Sequence, residues 1–201
     1  MINDGTTDIT LKDYITQPLD IYSSRLTLVE KTFDTIDGLI GQSGNTSTTP
    51  VVTPDGLLEL GNNANIQIPL GSNIDLNTTG FTLVMTIPGL GPNDVSGDYQ
   101  LGIKLGSGGT NWIKFDTNKG VLFSTGLAAE TAVLPTTAWA SRIDLLLEYS
   151  GGVARLFVNG VFVPLTAFRT TEMVDSIILT SKCNDDKTTR VDYLLVQKLK
   201  G

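Results

Sequence analysis

The 201-residue sequence predicts a mainly β protein, an antiparallel β-sandwich preceded by a single N-terminal helix. Three observations carry this expectation. From Leu57 to the C-terminus, short β-type runs follow one another with turn residues between them and no helical interlude. Inside "FVNGVFV", Asn159-Gly160 is the dipeptide of a type I′ hairpin turn, flanked by β-branched and aromatic residues. Ahead of these, residues 19–40 place apolar side chains at alternating spacings of three and four.

The N-terminal elements come first. Residues 1–17 are polar and read as an extended attachment peptide, and Pro18 suits the first position of a helix, where its missing N–H costs nothing. Leu19, Tyr22, Leu26, Val29, Phe33, Ile36 and Ile40 then occupy every a and d position of three heptads. Arg25 falls at g and Glu30 at the next e, the positions that pair between parallel helices. Leucine or phenylalanine at a with β-branched residues at d leans toward three or four strands rather than two, and residues 18–40 are expected to form a trimeric coiled coil. An amphipathic helix packed on its own domain is the alternative, because 3.5 and 3.6 periods barely separate over this length. Gly41 ends the helix, and "GQSGNTSTTPVVTPDG" at 41–56 reads as a linker.

The β-type runs follow in order: "NIQIPL" (65–70), "FTLVMTIP" (81–88), "YQLGIKLG" (99–106), "NWIKFD" (111–116), "GVLFSTG" (120–126), "SRIDLLLEYS" (141–150), "ARLFVNGVFV" (154–163), "DSIILTS" (175–181) and "RVDYLLVQKL" (190–199). In the sixth, Ile143, Leu145 and Leu147 alternate with Asp144, Leu146 and Glu148, the pattern of a half-buried strand.

Composition narrows the function. Lys+Arg is 14 against Asp+Glu 21, a net charge of -7 with the basic residues scattered, so no nucleic-acid footprint is expected and no attraction to an anionic membrane. No apolar run approaches the roughly 20 residues of a bilayer span. The start "INDGTTDITLKDY" lacks the charged and apolar regions of a secretory signal. The lone Cys183 has no disulfide partner in the chain, and the absence of histidine removes Ser-His-Asp and Cys-His catalysis.

Trp139, the strand "SRIDLLLEYS", a tight Gly-Gly turn, "VARLFVNGVFV" and a final "VDYLLVQKL" returning beside the early strands together resemble laminin G-like, concanavalin A-type jelly rolls. The resemblance covers residues 57–201 and implies a concanavalin-like head domain. Glucanases of that fold carry Glu-x-Asp-x-Glu on one strand, a set this sequence lacks. Asp144 and Glu148 share a strand face about 13 Å apart at roughly 3.3 Å per residue, too far for a retaining or an inverting glycosidase pair, and no enzymatic activity is expected. The resemblance also implies calcium, for which Asp94, Asp98, Asn184, Asp185 and Asp186 are suitable oxygen donors; turn-forming Asp and Asn are the alternative reading. Trp112, after the glycine-rich "GSGGTN", is the candidate sugar-stacking platform, whereas Trp139 reads as core. "GSGGTN" lacks the Lys-Ser/Thr of a phosphate loop.

A helical stalk, a joint and a lectin-like head with no export signal resemble a bacteriophage virion fibre protein. That resemblance implies a homotrimer docked to other virion proteins through residues 1–17, with residues 57–201 recognising cell-surface glycans. A capsid decoration protein without a ligand, and a glycan-processing enzyme of the same fold, are the alternatives.

Overall fold

The structure is a computed structural model and describes residues 25–41, 50–89, 99–125, 131–134, 142–165, 168–183 and 188–199. Among these, every regular element is a strand, and every strand pairing is antiparallel. Two sheets carry the fold. The six-stranded sheet has the order β1 (Arg25–Lys31), β16 (Tyr193–Leu199), β6 (Phe81–Ile87), β11 (Ile143–Ser150), β12 (Val153–Val158) and β13 (Val161–Val163). The seven-stranded sheet has the order β10 (Thr131–Leu134), β9 (Gly120–Ser124), β8 (Trp112–Asp116), β7 (Gln100–Leu105), β14 (Met173–Lys182), β5 (Asn65–Asp75) and β2 (Ile40–Gly41). A small third sheet joins β15 (Thr189–Val191), β4 (Leu58–Leu60) and β3 (Val51–Val52).

Alternation along each strand builds the core between the two large sheets. Leu83, Met85, Ile143, Leu145, Leu147, Leu194 and Val196 from one sheet, and Ile66, Ile68, Leu101, Ile103, Ile113, Phe115, Ile177 and Leu179 from the other, belong to one buried cluster. Cys183 is buried at the margin of this core, with its Sγ 3.8 Å from the Ser181 hydroxyl.

The helix expected over 18–40 is corrected by the structure wherever those residues are described; Leu19 and Tyr22 lie outside the described residues. Arg25–Lys31 is a strand along the edge of β16, with Val29 opposite Val196 and Glu30 opposite Leu195. Phe33 is 1% exposed and sits in the core, whereas Leu26, Ile36 and Ile40 are exposed. Arg25, expected to pair with a neighbouring helix, instead donates to the Thr82 hydroxyl at 3.0 Å and lies 3.9 Å from Glu148. Glu30 accepts from the Tyr193 hydroxyl at 2.9 Å.

The physical reason is long-range. β16 would otherwise present an open row of N–H and C=O groups, and the segment "RLTLVEK", with its Val and Thr, satisfies that edge as a strand. The boundary expected at Leu57 moves with it. Residues 25–41 belong to the sandwich, and in the stretch expected to be a linker Gly41 pairs with Ile66 while Val51 and Val52 pair with Glu59 and Leu58.

Asn159-Gly160 forms its turn as expected, with φ of 50° and 76°. The Asn159 side chain also accepts from the Asp144 N–H at 2.7 Å and donates to the Arg142 carbonyl, fastening the hairpin to β11. Gly160→Ala is therefore expected to cost about 1–2 kcal/mol through the left-handed backbone, since nothing crowds the added methyl. A urea midpoint measured beside that of the native chain checks it.

Candidate functional site

The outward face of the seven-stranded sheet follows from the pairing. Since Leu101, Ile103, Leu105, Ile113 and Phe115 point into the core, Gly102, Lys104, Trp112 and Lys114 point away from it. Trp112 pairs with Lys104 on β7 and with Ser124 on β9, and Lys114 pairs with Gly102. The ring of Trp112 leans over Gly102, where an added Cβ would stand 3.2 Å from Cζ3 and would strike the Thr180 hydroxyl. The missing side chain at Gly102 is what lets the indole lie down along the sheet. Lys104 and Lys114 place their ammonium groups 5.7 and 5.6 Å from the ring centroid, the range of a cation–π contact. Trp112 remains half-buried, with part of its surface facing solvent.

Polar groups surround this platform. Thr180 and Lys182 on β14, Gln100 on β7, and Asn65 and Gln67 on β5 belong to the same face by register. Asp116, two residues beyond Lys114, is 8% exposed and already committed. It accepts from Gln100 at 3.1 Å and from the N–H groups of Asn118 and Lys119 at 2.9 and 3.0 Å, and so shapes the β8–β9 turn.

The glycine-rich segment ahead of Trp112 is anchored by two carboxylates. Glu172 accepts from the Thr110 N–H at 3.0 Å, from the Thr110 hydroxyl and from the Asn111 amide at 3.1 Å. Asn111 is fully buried, and its Oδ1 accepts from the Arg169 N–H at 2.9 Å. Asp175 accepts from the Ser107 N–H at 2.7 Å and from the hydroxyls of Ser107 and Ser176. Burial alone would push the Asp175 carboxyl up, but the hydrogen bonds from Ser107 and Ser176 outweigh it and hold the group below the usual carboxylate range.

A depressed folded-state value contributes stability above the unfolded-state value, which is lost as pH falls through the folded one. The anchor is thus expected to hold at neutral pH and to weaken below about pH 4. Asp175→Asn should flatten that acid limb in thermal melts recorded across pH 2–7, and an unchanged limb would show that other carboxyls set it.

A second concavity, a cleft of about 370 Å³, lies between the β5–β6 turn and the β11–β12 turn, lined by Asn77, Thr78, Thr79, Ser150, Gly151 and Thr170 among others. Its aromatic residue is Tyr149, whose ring is 2% exposed and packed on Phe81 and Phe168, and whose hydroxyl donates to the Leu76 carbonyl at 2.7 Å. Burial first, and the charge of Asp75 in addition, raise the Tyr149 phenol, against a smaller lowering by a hydrogen bond with Thr170. The phenol stays neutral and structural, so this cleft offers hydroxyls and amides but no acid–base pair.

The other expected site residues are placed as follows. Asp144 and Glu148 lie on the outward face of the six-stranded sheet, away from Trp112; Asp144 pairs with Arg142 at 3.1 Å and accepts from Thr86 at 2.9 Å. Trp139 and the calcium candidates Asp94, Asp98, Asn184, Asp185 and Asp186 lie outside the described residues. Among the described residues no three His, Cys, Asp or Glu side chains gather in a way that would hold a metal ion. The two lysines beside Trp112 and the glycine beneath it were missed by sequence reasoning. "LGIK" and "WIK" become neighbours only through the β7–β8 register.

The backbone is similar to solved structures over most of its length. It superposes on the CBM2 module of Lactobacillus casei BL23 phage J-1 evolved Dit with a TM-score of 0.62 at 12% identity, covering 89% of this chain and 97% of that one. Arcelin-5, a lectin-like defence protein from Phaseolus vulgaris, gives 0.58 at 12% identity, with 87% and 98% covered. The Bacillus licheniformis β-glucanase gives 0.55 at 14% identity, with 86% and 98% covered. The chain has a concanavalin-like jelly-roll fold. At such identities the fold alone is shared, and lectin-like and glycan-cleaving proteins both use it. No protein-family model matches the sequence, and no curated protein is similar to it.

Proposed function

We propose that this chain is a non-catalytic, glycan-binding adhesion protein of a bacteriophage particle, with its sugar site on the outward face of the seven-stranded sheet. The observation that carries the reading is Trp112 laid across Gly102 with polar side chains on the neighbouring strands. A flat aromatic with hydrogen-bonding groups at its rim suits a sugar ring, which presents C–H groups on one face and hydroxyls at its edge. That a module of a phage Dit protein and a lectin-like protein share the fold is in keeping with it.

Residues 1–17 join the head to other virion proteins in this reading, and several heads on one particle, three in a homotrimer, turn weak individual sites into firm attachment. Asp144 and Glu148 lie on the sheet opposite Trp112, each beside an arginine, which is in keeping with a binding role rather than a hydrolytic one.

The test is a glycan array read with the native chain and with Trp112→Ala. The variant should lose binding at least about tenfold, a difference of roughly 1.4 kcal/mol, while keeping its melting temperature within a few degrees. Release of reducing ends from any bound polysaccharide would replace this reading with the enzymatic one. Absence of any bound glycan would favour a decoration protein.

A further inference from the structure

The ligand's charge is written beside Trp112. We propose that the site takes an acidic polysaccharide, a polymer of pyranose rings bearing carboxylates, and this rests on the glycan-platform reading above. The chain carries a net charge of -7, yet the side chains nearest the indole are two lysines. They arrive from different strands. Lys104 is the direct cross-strand neighbour of Trp112, and Lys114 lies two residues further along β8 on the same face.

Their ammonium groups stand 5.7 and 5.6 Å from the ring centroid, so a sugar stacked on the indole has a cation within reach of its edge. The Lys104 ammonium is held there by the Ser107 carbonyl at 2.8 Å, and that carbonyl belongs to the loop fastened by Asp175. Lys182 extends the positive row, as the exposed neighbour of Gln100 on the same face. Among the described residues, the carboxylate on this face, Asp116, is buried and committed to its own hydrogen bonds.

A neutral glycan would use those ammonium groups only as hydrogen-bond donors, whereas a carboxylate would pair with them as ions through shorter, stronger charge-assisted bonds. Single-stranded nucleic acid also combines stacking with negative charge, but a backbone of phosphates calls for a longer basic groove than three lysines on an acidic chain provide.

The experiment uses the full chain with polygalacturonate and hyaluronate as acidic probes, carboxyl-reduced polygalacturonate and dextran as neutral ones, and a poly-dT oligonucleotide. Both acidic polymers should bind, and the reduced polymer should bind about tenfold more weakly. Affinity should fall as salt rises from 0.1 to 1 M, where screening shortens from about 10 to 3 Å. The double variant Lys104→Gln/Lys114→Gln should lose that same margin, whereas Arg155→Gln, an exposed charge on the opposite sheet, should lose none.

Equal binding of native and reduced polymer, insensitive to salt but abolished by Trp112→Ala, would overturn the acidic ligand and leave the platform standing. Binding of poly-dT as tight as that of the polysaccharides would overturn it in favour of nucleic acid. No binding of any probe would overturn the acidic ligand, and the glycan array above then decides the platform by itself.

Discussion

Replacing Phe33 with alanine is expected to destabilise the sandwich by about 3–5 kcal/mol, the usual cost of deleting a fully buried phenyl ring. The ring is 1% exposed within the main cluster, and the segment around it contributes Leu28, Val29 and Leu39 to the margin of the same core. Its backbone sits at φ 53°, a left-handed conformation that disfavours any residue with a Cβ. Packing of the ring is what offsets that strain. Urea unfolding followed by fluorescence would show a lower midpoint with an unchanged slope. Leu26→Ala, at a position 50% exposed, should change the stability by less than about 0.5 kcal/mol. The reverse ranking, with Phe33→Ala folding normally but losing assembly mass, would restore the coiled-coil seam.

Replacing Gly102 with alanine is expected to disable the candidate site without touching a ligand-facing atom. The new methyl would meet the Trp112 ring at 3.2 Å and crowd the Thr180 hydroxyl more closely still. The Thr180 hydroxyl must turn away and the indole must give by a few tenths of an ångström, which tilts it out of its seat between the two lysines. Overpacking of this kind costs about 1–3 kcal/mol, which the chain can tolerate while remaining folded. Glycan affinity should fall, in the direction of Trp112→Ala. Gly108→Ala, where the added methyl meets nothing within 4 Å, is the matched control in the neighbouring loop. Retained affinity in Gly102→Ala, with the ring shown displaced by its fluorescence, would remove Trp112 from the site.

Much of the sandwich was legible locally. The alternation of Ile143, Leu145 and Leu147 with Asp144, Leu146 and Glu148 is realised in β11, and Asn159-Gly160 turns where its positive φ angles require. The return of "VDYLLVQKL" beside an early strand is also met, since β16 lies against β6. Each of these rests on side-chain period or turn chemistry, which act over a few residues. The segment from Arg25 to Gly41 failed the same approach. Its apolar residues fit a heptad and a strand-plus-loop equally, and the deciding partner is a strand some 170 residues later.

The candidate site divides in the same way. Trp112 could be singled out from its glycine-rich approach alone, but nothing in the sequence distinguishes Lys104 from Lys198 or Gly102 from Gly108. By itself, the sequence determined a β-rich chain without histidine, with one buried-type cysteine, a set of alternating strands and one tryptophan worth testing. Only the tertiary structure decided that the N-terminal strand closes the sheet's edge, and that two lysines and a glycine gather around that tryptophan. Hydrogen-bond registry joins strands far apart in the chain, and no local period records which strand will be the neighbour.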